Sequence, residues 1–277
     1  MEFPFLQKGH LESQEKMKKE FLSIVIPVYN ESLRIEKSLR SLHDFLSEQD
    51  YEYEVIISDD GSTDGTVEIV NEYKKEWKSL RLLKNKHKGK APAIISGIYA
   101  SKFKYILFTD VDLSVPIIEL PKLLNWVDER GFDIAIASRE GVGAERVNEP
   151  YIRHFMGRIF NLLVQLLVLP GINDTQCGFK LFRASVIKDI FDRTLLYGRS
   201  DKEIKGGKVS AFDVEMLYVG KLMNFKIKEV PIRWIYNDKS TVHNLKDSYY
   251  NAKDVFKVRL NSLKGFYIAN RKQNDTF

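Results

Sequence analysis

Short apolar runs alternate with segments of helical periodicity through the first half of the chain. The runs that predict buried strands are residues 21–26, 53–57, 80–83, 105–108 and 133–137. Between them, apolar side chains recur at three- and four-residue spacing and predict helices over residues 31–47, 66–77, 91–101 and 117–128. This alternation is typical of right-handed βαβ units. We therefore expect an α/β fold whose central sheet is mostly parallel, with helices on both faces.

The second half of the chain is less regular. Its pattern predicts an apolar helix over residues 153–169, a helix near residues 212–222 and a strand over residues 227–234. The expected organisation is an N-terminal arm (1–20), one main domain (21–242) and a C-terminal extension of basic amphipathic helices (243–277).

The helix over residues 153–169 allows two interpretations. One stripe is apolar and consists of Ile159, Leu162, Leu163, Leu166 and Leu167, whereas Arg158, Asn161 and Gln165 follow a polar stripe. This pattern alone favours an ordinary core helix. A helix that lies in the plane of a bilayer interface has the same pattern and is the alternative.

Composition narrows the class of protein. The 277 residues are 44% hydrophobic and 29% charged, which is typical of a folded globular chain, and the single cysteine, Cys177, excludes an intramolecular disulfide framework. No apolar run reaches the roughly 18 residues of a spanning helix, so we expect a soluble or peripheral protein. From residue 221 onward, twelve Lys and Arg face five Asp and Glu. Such a basic end suits an anionic membrane, nucleic acid or plain solvent.

The loops after the predicted strands carry the candidate chemistry, because open parallel sheets bind ligands beyond the carboxyl ends of their strands. Residues 27–31 (PVYNE) follow the first strand and lack the glycines of a dinucleotide-binding turn. Residues 89–91 (GKA) lack the flanking residues of a phosphate-binding P-loop. The sheet must therefore hold its ligand by other means.

Asp110 and Asp112 follow the strand over residues 105–108 and are the most informative pair. Residues two apart at the end of a strand project the same way, so both carboxylates can face one point. Oxygen ligands suit Mg²⁺ or Mn²⁺, which typically leaves positions for the oxygens of a nucleotide diphosphate. A solvated acidic pair is the simpler explanation, but the position after a buried strand favours a metal site.

Residues 59–64 (DDGSTD) follow the second predicted strand. Gly61 relieves the backbone of a turn, and Ser62 or Thr63 can cap the next helix. A leading aspartate, Asp59 or Asp60, is then available to accept hydrogen bonds from a base or ribose. The two roles are compatible.

Taken together, residues 27–31, 59–64, 89–90 and 110–112 resemble, in order and spacing, the motifs of inverting glycosyltransferases of family 2, which have the GT-A fold. Residues 174–182 (DTQCGFKLF) and 212–215 (FDVE) are more specific and resemble the dolichyl-phosphate β-glucosyltransferase branch, a relative of the dolichyl-phosphate mannose synthases. The resemblance covers residues 22–242. Ala91 replaces a second glycine of many relatives, and residues 239–242 (KSTV) move a basic residue from the third position to the first.

The resemblance implies a role for each matching residue. Residues implied in binding the nucleotide sugar are Pro27, Tyr29, Glu31, Ser58, Asp59, Asp60, Lys90, Asp110, Val111, Asp112, Gln176, Asp213 and Lys239. Asp110 and Asp112 are the implied metal ligands for Mg²⁺ or Mn²⁺. The implied acceptor-phosphate ligands are Arg139, Arg153 and Arg158, and the implied catalytic residues are Asp112, Arg139, Arg153 and Asp174. Asp174 and Asp213 are candidates for binding sugar hydroxyls, or for a general base if the acceptor is a hydroxyl.

The implied reaction is inverting transfer of glucose from UDP-glucose to a polyprenyl or dolichyl phosphate. The enzyme is then expected in the cytoplasm, peripherally attached to the cytosolic membrane face, and a homo-oligomer is compatible with this. The resemblance also implies that the helix over residues 153–169 lies against the membrane. Alternatives are a GDP-mannose-dependent enzyme with the same acceptor, a glycosyltransferase with a soluble hydroxyl acceptor, and a binding module without turnover. Nucleic acid is not an expected partner, because acidic loops crowd the ligand edge.

Overall fold

The computed structural model describes residues 20–197, 211–237 and 244–267, which form nine strands and eight α-helices. The strands are β1 (Glu20–Val28), β2 (Glu52–Asp59), β3 (Leu80–Lys84), β4 (Tyr105–Thr109), β5 (Ile134–Ser138), β6 (Glu145–Val147), β7 (Phe179–Arg183), β8 (Ile227–Pro231) and β9 (Arg233–Ile235). The helices are α1 (Ile35–Ser47), α2 (Thr66–Glu76), α3 (Lys90–Ala100), α4 (Leu120–Leu124), α5 (Tyr151–Leu167), α6 (Ala184–Phe191), α7 (Phe212–Leu222) and α8 (Asn244–Leu263).

Seven strands form the central sheet in the order β3-β2-β1-β4-β7-β5-β8. All neighbouring pairs are parallel except those of β7, which is antiparallel to β4 and to β5. The prediction of a mostly parallel sheet is confirmed. The chain runs outward through β1, β2 and β3 and then returns to the other side of β1, so a topological switch point lies between β1 and β4.

Both faces of the sheet are covered, as predicted. Alternate residues of β1 point to opposite sides: Ile24 and Ile26 belong to a core cluster with α1, whereas Val25 belongs to a second cluster with α3, α6 and α7. Helix α8 contributes Val255 and Val258 to the second cluster and contacts α5 and α7. The part of the predicted C-terminal extension that the structure describes is therefore one helix that packs on the sheet's helical layer.

Several elements differ from the predictions. The predicted helix over residues 117–128 is a 3₁₀ turn (Ile117–Glu119), α4 and a π turn (Asn125–Glu129) in succession. The predicted strand over residues 227–234 is divided at Ile232 into β8 and β9, and β9 pairs with β6 in a separate two-stranded sheet. Strands β6 and β7 and helix α6 were not predicted. The arm through residue 19, residues 268–277 and the predicted domain boundary at residue 242 lie outside the described residues.

The reversed direction of β7 determines the layout of the site. Thr109 at the carboxyl end of β4 pairs with Phe179 at the amino end of β7, and the amide of Asp110 donates to the carbonyl of Gly178 at 3.1 Å. The segment over residues 174–178 therefore lies at the same sheet edge as the loops after β1, β2, β4 and β5.

Candidate active site

The loops after β1 and β2 are joined by hydrogen bonds from both sides. The amide of Asn30 donates to Ser62 Oγ at 2.9 Å, and Asn30 Oδ1 accepts from the amide of Thr63 at 2.8 Å. The amide of Glu31 donates to Thr66 Oγ1 at 2.8 Å. Asn30 has a φ of 55°, a left-handed conformation that asparagine tolerates. Hydrogen bonds thus join residues 27–31 and 59–64 into one surface at the carboxyl ends of β1 and β2, which we call the rim of the site.

Ser58, Asp59 and Asp60 are buried, and their side chains bind the protein itself. Ser58 Oγ donates to the carbonyl of Ala93 at 2.6 Å, and Asp59 accepts from the amide of Gly61 at 3.2 Å. Asp60 accepts from the amides of residues 88 and 89, both at 2.8 Å. These contacts tie β2, the loops after β2 and β3 and the start of α3 to one another.

Tyr29 and His87 provide an aromatic surface on this rim. Their rings are stacked, with centroids 4.0 Å apart and planes 7° apart. His87 Nδ1 also lies 2.8 Å from Asp60 Oδ2, which holds the imidazole in place. Pro27 lies within β1, paired with Ser58 of β2, two residues before Tyr29. The sequence singled out Tyr29 but not His87.

Asp110 and Asp112 follow β4 and lie at the same edge of the sheet. Lys90, at the start of α3, places its Nζ 2.5 Å from Asp110 Oδ1. Asp112 Oδ1 accepts from the amide of Ser114 at 3.0 Å. Burial, followed by the neighbouring charge of Asp110, raises the pKa of Asp112. Burial also raises the pKa of Glu31, and the charge of Asp112 adds to this effect, although Arg34 opposes it.

This electrostatic arrangement fits a divalent cation. Burial first, and then the charge of Asp110, disfavour the ionised form of Asp112, and a cation bound beside it would stabilise that form. Across the ranges that the structure describes, no group of three or more His, Cys, Asp or Glu side chains could hold a metal. A site with two carboxylates suits a hard cation that takes its other ligands from water and diphosphate oxygens.

Val111 lies between the two aspartates and is buried. Its side chain is part of the core, and its carbonyl accepts a hydrogen bond from Ser38 Oγ of α1. Val111 therefore anchors the loop after β4 to the first helix. Gln176 is half-buried, and its backbone amide donates to Asp174 Oδ1 at 3.2 Å. Lys239 lies outside the described residues.

Gly178 lies directly behind the carboxylate of Asp110. A Cβ at this position would lie 2.1 Å from Asp110 Oδ2, much closer than any real contact. Gly178 thus leaves the space that the Asp110 carboxylate occupies. This explains in steric terms why glycine precedes β7.

Asp213, in the first turn of α7, lies beneath the same region. Its Oδ1 accepts from Lys180 Nζ at 2.5 Å, and Lys180 is fully buried in β7. Burial raises the pKa of Asp213, whereas Lys180 and Lys90 lower it. Asp213 is therefore close enough to the Lys90–Asp110 pair for their charges to act on one another.

Arg139 and Asp174 form a buried bidentate ion pair in the site. Arg139 Nε donates to Asp174 Oδ2 at 2.7 Å and Nη2 to Oδ1 at 2.9 Å, while the amide of Arg139 donates to Oδ2 at 2.9 Å. Burial raises the pKa of Asp174, but Arg139 outweighs it and lowers the pKa to about 2. The guanidinium also lies 5.4 Å from the ring centroid of Trp234.

Three further arginines, Arg146, Arg153 and Arg158, lie on the elements that follow Arg139 along the chain. Arg146 donates to the carbonyl of Arg139 at 3.0 Å and pairs with Glu140 at 2.6 Å. Arg158 of α5 also pairs with Glu140, at 3.0 Å. Arg153 lies over the ring of Tyr236 at 5.1 Å. The structure thus brings Arg139 and Arg158 into one charged cluster and adds Arg146, which the sequence did not single out.

Cys177 lies between the acidic pair and the arginine cluster. Its thiol is fully buried, and burial first, with the charge of Asp174, raises its pKa to about 12. Arg139 and Asp110 also act on it electrostatically. The acidic pair and the arginine cluster therefore lie on either side of the segment over residues 174–178.

Helix α5 presents its apolar side chains outward. Phe155, Leu162 and Leu166 are 64%, 57% and 77% exposed, whereas Asn161 and Val164 are its buried residues. The predicted apolar stripe is divided in the structure: Ile159, Leu162 and Leu166 are more than half exposed, whereas Leu167 packs against the core. The interpretation as an ordinary core helix therefore holds for only part of α5. Helix α8 packs beside α5 and adds further exposed apolar residues, Phe256, Leu260 and Leu263. We call the exposed residues Tyr151, Ile152, Phe155, Ile159, Leu162 and Leu166 the outer face of α5.

No helix in the described parts of the chain is long and apolar enough to cross a membrane.

The central sheet has a topological switch point, and an acidic pair follows β4 beside it. The fold is that of a glycosyltransferase of the GT-A class. The chain belongs to glycosyl transferase family 2, whose sequence profile matches residues 23–191. It is 33% identical to the dolichyl-phosphate beta-glucosyltransferase of Dictyostelium discoideum, over 96% of this chain and 81% of that protein. The protein of the same name from Saccharomyces cerevisiae is 33% identical, over 91% of this chain and 78% of that protein.

Solved structures show the same fold. The glucosyl-3-phosphoglycerate synthase of Mycobacterium tuberculosis, crystallised with Mn²⁺, UDP and glucosyl-3-phosphoglycerate, gives a TM-score of 0.59 at 15% identity. The match covers 88% of this chain and 79% of that one. At this identity the likeness shows the fold alone. The GT-A prediction is confirmed.

Proposed function

We propose that the protein transfers glucose from UDP-glucose to dolichyl phosphate, with inversion at the anomeric carbon. The observation that carries this proposal is the placement of the Asp110–Asp112 pair and the arginine cluster on either side of residues 174–178. A donor diphosphate suits the first group and an anionic acceptor suits the second. The relatives named dolichyl-phosphate beta-glucosyltransferase support the choice of donor and acceptor.

On the donor side, Asp110 and Asp112 would hold a divalent cation, Mn²⁺ or Mg²⁺. Such a cation offsets the charge that builds up on the leaving diphosphate. Lys90 lies against Asp110 and supplies a further positive charge for the diphosphate. Tyr29, stacked on His87, offers a flat surface for the base, and Glu31, two residues further on, is close enough to Asp112 to feel its charge.

On the acceptor side, a phosphate monoester needs no general base. Its second pKa is about 6, by analogy with phosphoserine, so it is largely a dianion near neutral pH. Guanidinium groups are well suited to hold such an anion in line behind the leaving group. We assign this role to Arg139, Arg153 and Arg158. Asp174, whose pKa is lowered to about 2, then orients Arg139 and is a poor proton acceptor.

The acceptor's lipid chain gives the outer face of α5 a role. Arg153 and Arg158 are carried by the same helix as Phe155 and Leu162, so phosphate ligands and exposed apolar side chains are adjacent. We propose that this helix rests on the membrane surface with its outer face in the lipid interface. The basic residues of α8 suit an anionic membrane surface, and we place the enzyme on the cytosolic face.

A panel of UDP- and GDP-sugars with a polyprenyl phosphate, each with Mg²⁺, Mn²⁺ or EDTA, tests the proposal. We expect a glycolipid from UDP-glucose in the presence of a divalent cation. Transfer from GDP-mannose instead would overturn the donor assignment, and transfer to soluble hydroxyl acceptors alone would overturn the acceptor assignment. No transfer from any donor would favour a binding module.

A second experiment tests Asp112 as a metal ligand and has a matched control variant. Asp112→Ala is expected to lower turnover to about one hundredth or less, because the cation loses a ligand. Asp128→Asn serves as the matched control, since Asp128 lies at the opposite end of β4 and contacts Tyr105 and Lys104. Near-normal turnover of Asp112→Ala would remove the metal role.

A further inference from the structure

Lys180 is a fully buried lysine in the middle of the central sheet. It lies in β7, between Phe179 and Leu181, which belong to the core. Its Nζ donates to Asp213 Oδ1 at 2.5 Å and to the carbonyl of Cys177 at 2.6 Å, and it faces the ring of Phe108 at 5.1 Å. The ammonium group is therefore held in one position by partners on different elements.

Packing alone does not call for a charge at this position. A buried ion pair loses hydration on both sides, and replacing such a pair by apolar residues of similar volume is often neutral or stabilising. A methionine would fill much of the volume of Lys180 without this cost. The Lys180–Asp213 ion pair is therefore expected to have a function other than stabilising the fold.

The neighbours of Asp213 indicate what this function is. Asp213 and Asp110 both act electrostatically on Lys90, and Lys90 Nζ lies 2.5 Å from Asp110 Oδ1. The four side chains thus alternate in charge, from the fully buried Lys180 through Asp213 and Lys90 to the partly exposed Asp110. The series begins in the core and ends at the acidic pair.

We propose that Lys180 is a positioning residue for the donor diphosphate: it fixes Asp213, and Asp213 together with Asp110 holds the Lys90 ammonium where the diphosphate binds. The inference rests on the proposed function, because it takes the acidic pair as the donor site. Strand β7 then serves the site twice. Gly178 leaves space for Asp110, and Lys180 supports Asp213.

The test compares Lys180→Met with the double variant Lys180→Met/Asp213→Asn. The single variant leaves a buried carboxylate without its partner, so we expect a lower melting temperature and weaker binding of UDP-glucose with Mn²⁺, measured by calorimetry. The double variant removes both charges, so we expect stability to recover while the dissociation constant stays about tenfold or more above that of the wild type.

A kinetic readout separates positioning from folding. In the double variant the KM for UDP-glucose is expected to rise while the KM for the polyprenyl phosphate stays unchanged. Lys90→Met is expected to weaken donor binding by a similar factor, and adding it to the double variant is expected to give little further loss, because the residues act in one series.

Arg81→Met is the matched control. Arg81 pairs with the buried Glu54 of β2, near the amino end of that strand and far from the site. We expect a lower melting temperature with an unchanged dissociation constant for UDP-glucose.

The outcomes that overturn the inference are distinct from failure of the proposed function. A stable double variant that binds UDP-glucose like the wild type would overturn it. A double variant that does not fold would also overturn it, because the pair would then serve the fold. A wild-type protein that does not bind UDP-glucose with Mn²⁺ would instead contradict the proposed function.

Discussion

The guanidinium of Arg139 and the carboxylate of Asp174 form two parallel hydrogen bonds, of 2.7 and 2.9 Å, at the carboxyl end of β5. Both oxygens of Asp174 are used further: Oδ2 accepts from the amide of Arg139, and Oδ1 from the amide of Gln176. The carboxylate is fully buried, whereas the arginine side chain is 16% exposed. One edge of the guanidinium is thus fixed by the protein, and Asp174 acts through Arg139.

Asp174→Asn is expected to raise the KM for the polyprenyl phosphate while leaving the KM for UDP-glucose close to that of the wild type. The amide cannot hold both nitrogens of Arg139, so the guanidinium loses its orientation. Because a buried charge loses its partner, unfolding should also become easier by roughly 3–5 kcal/mol. Steady-state kinetics and urea unfolding measure the two effects. Loss of kcat with an unchanged acceptor KM would instead indicate that Asp174 is a general base.

The same ion pair predicts how stability depends on pH. The pKa of Asp174 is about 2 in the folded protein and about 3.9 in an unfolded chain, so its contribution is fully present above pH 4 and is lost as the pH falls toward 2. The full contribution is roughly 2.5 kcal/mol, of which roughly half is lost by pH 3. Urea unfolding at pH 5 and pH 3 checks this. The difference between the wild type and Asp174→Asn should shrink by roughly 1 kcal/mol.

Gly178→Ala is expected to abolish most of the turnover and to weaken binding of UDP-glucose with Mn²⁺. The added methyl group would lie 2.1 Å from Asp110 Oδ2, so the carboxylate must move. Gly157→Ala is the control, since a Cβ at Gly157 of α5 meets nothing within 4 Å and alanine favours a helix by up to about 1 kcal/mol. Full activity of Gly178→Ala would show that Asp110 need not stay in place.

Arg153→Gln is expected to raise the KM for the polyprenyl phosphate by about tenfold or more, because one charge-assisted hydrogen bond to the acceptor is lost. The dissociation constant for UDP should change little. Arg130→Gln is the matched control, since Arg130 lies over Trp126 at 4.1 Å, beyond the π turn that precedes β5. Equal weakening of donor and acceptor would indicate that Arg153 supports the fold instead.

Replacement of Phe155, Leu162 and Leu166 by serine is expected to weaken binding to anionic lipid vesicles by about a hundredfold. Each side chain is more than half exposed, and its insertion into lipid contributes roughly 1 kcal/mol. The melting temperature should change little, because these side chains add little to the core. Vesicle flotation measures the effect. Ile118→Ser, at a position 69% exposed on another element, should bind like the wild type. A large loss of stability in the triple variant would contradict the surface role.

The sequence predicted the strands and helices of the first half because their signals are local. Strands such as β4 are fully buried, so each is a short apolar run, and the loops after them carry the polar residues. The position of Asp110 and Asp112 at the ligand edge follows from this order alone. A parallel sheet brings the carboxyl ends of its strands to one edge whatever the detailed packing.

Strand β7 shows where local patterns are insufficient. Lys180 interrupts its apolar run, and a charged residue in the centre of a buried strand contradicts the rule by which strands are recognised. Its partner Asp213 is 33 residues away in sequence, so only the folded chain shows that the charge is compensated.

The tertiary structure also decided which face of α5 is buried and which partner each charge has. Helical periodicity shows that one stripe of α5 is apolar, but whether this stripe meets the sheet depends on the elements that pack against the helix. Likewise, the sequence supplied Arg139 and Asp174 as separate candidates. Their pairing depends on the insertion of β7 between β4 and β5, which brings residues 35 apart within hydrogen-bond distance. Residue types and local periods are thus encoded along the chain, whereas partners are set by contacts between distant segments.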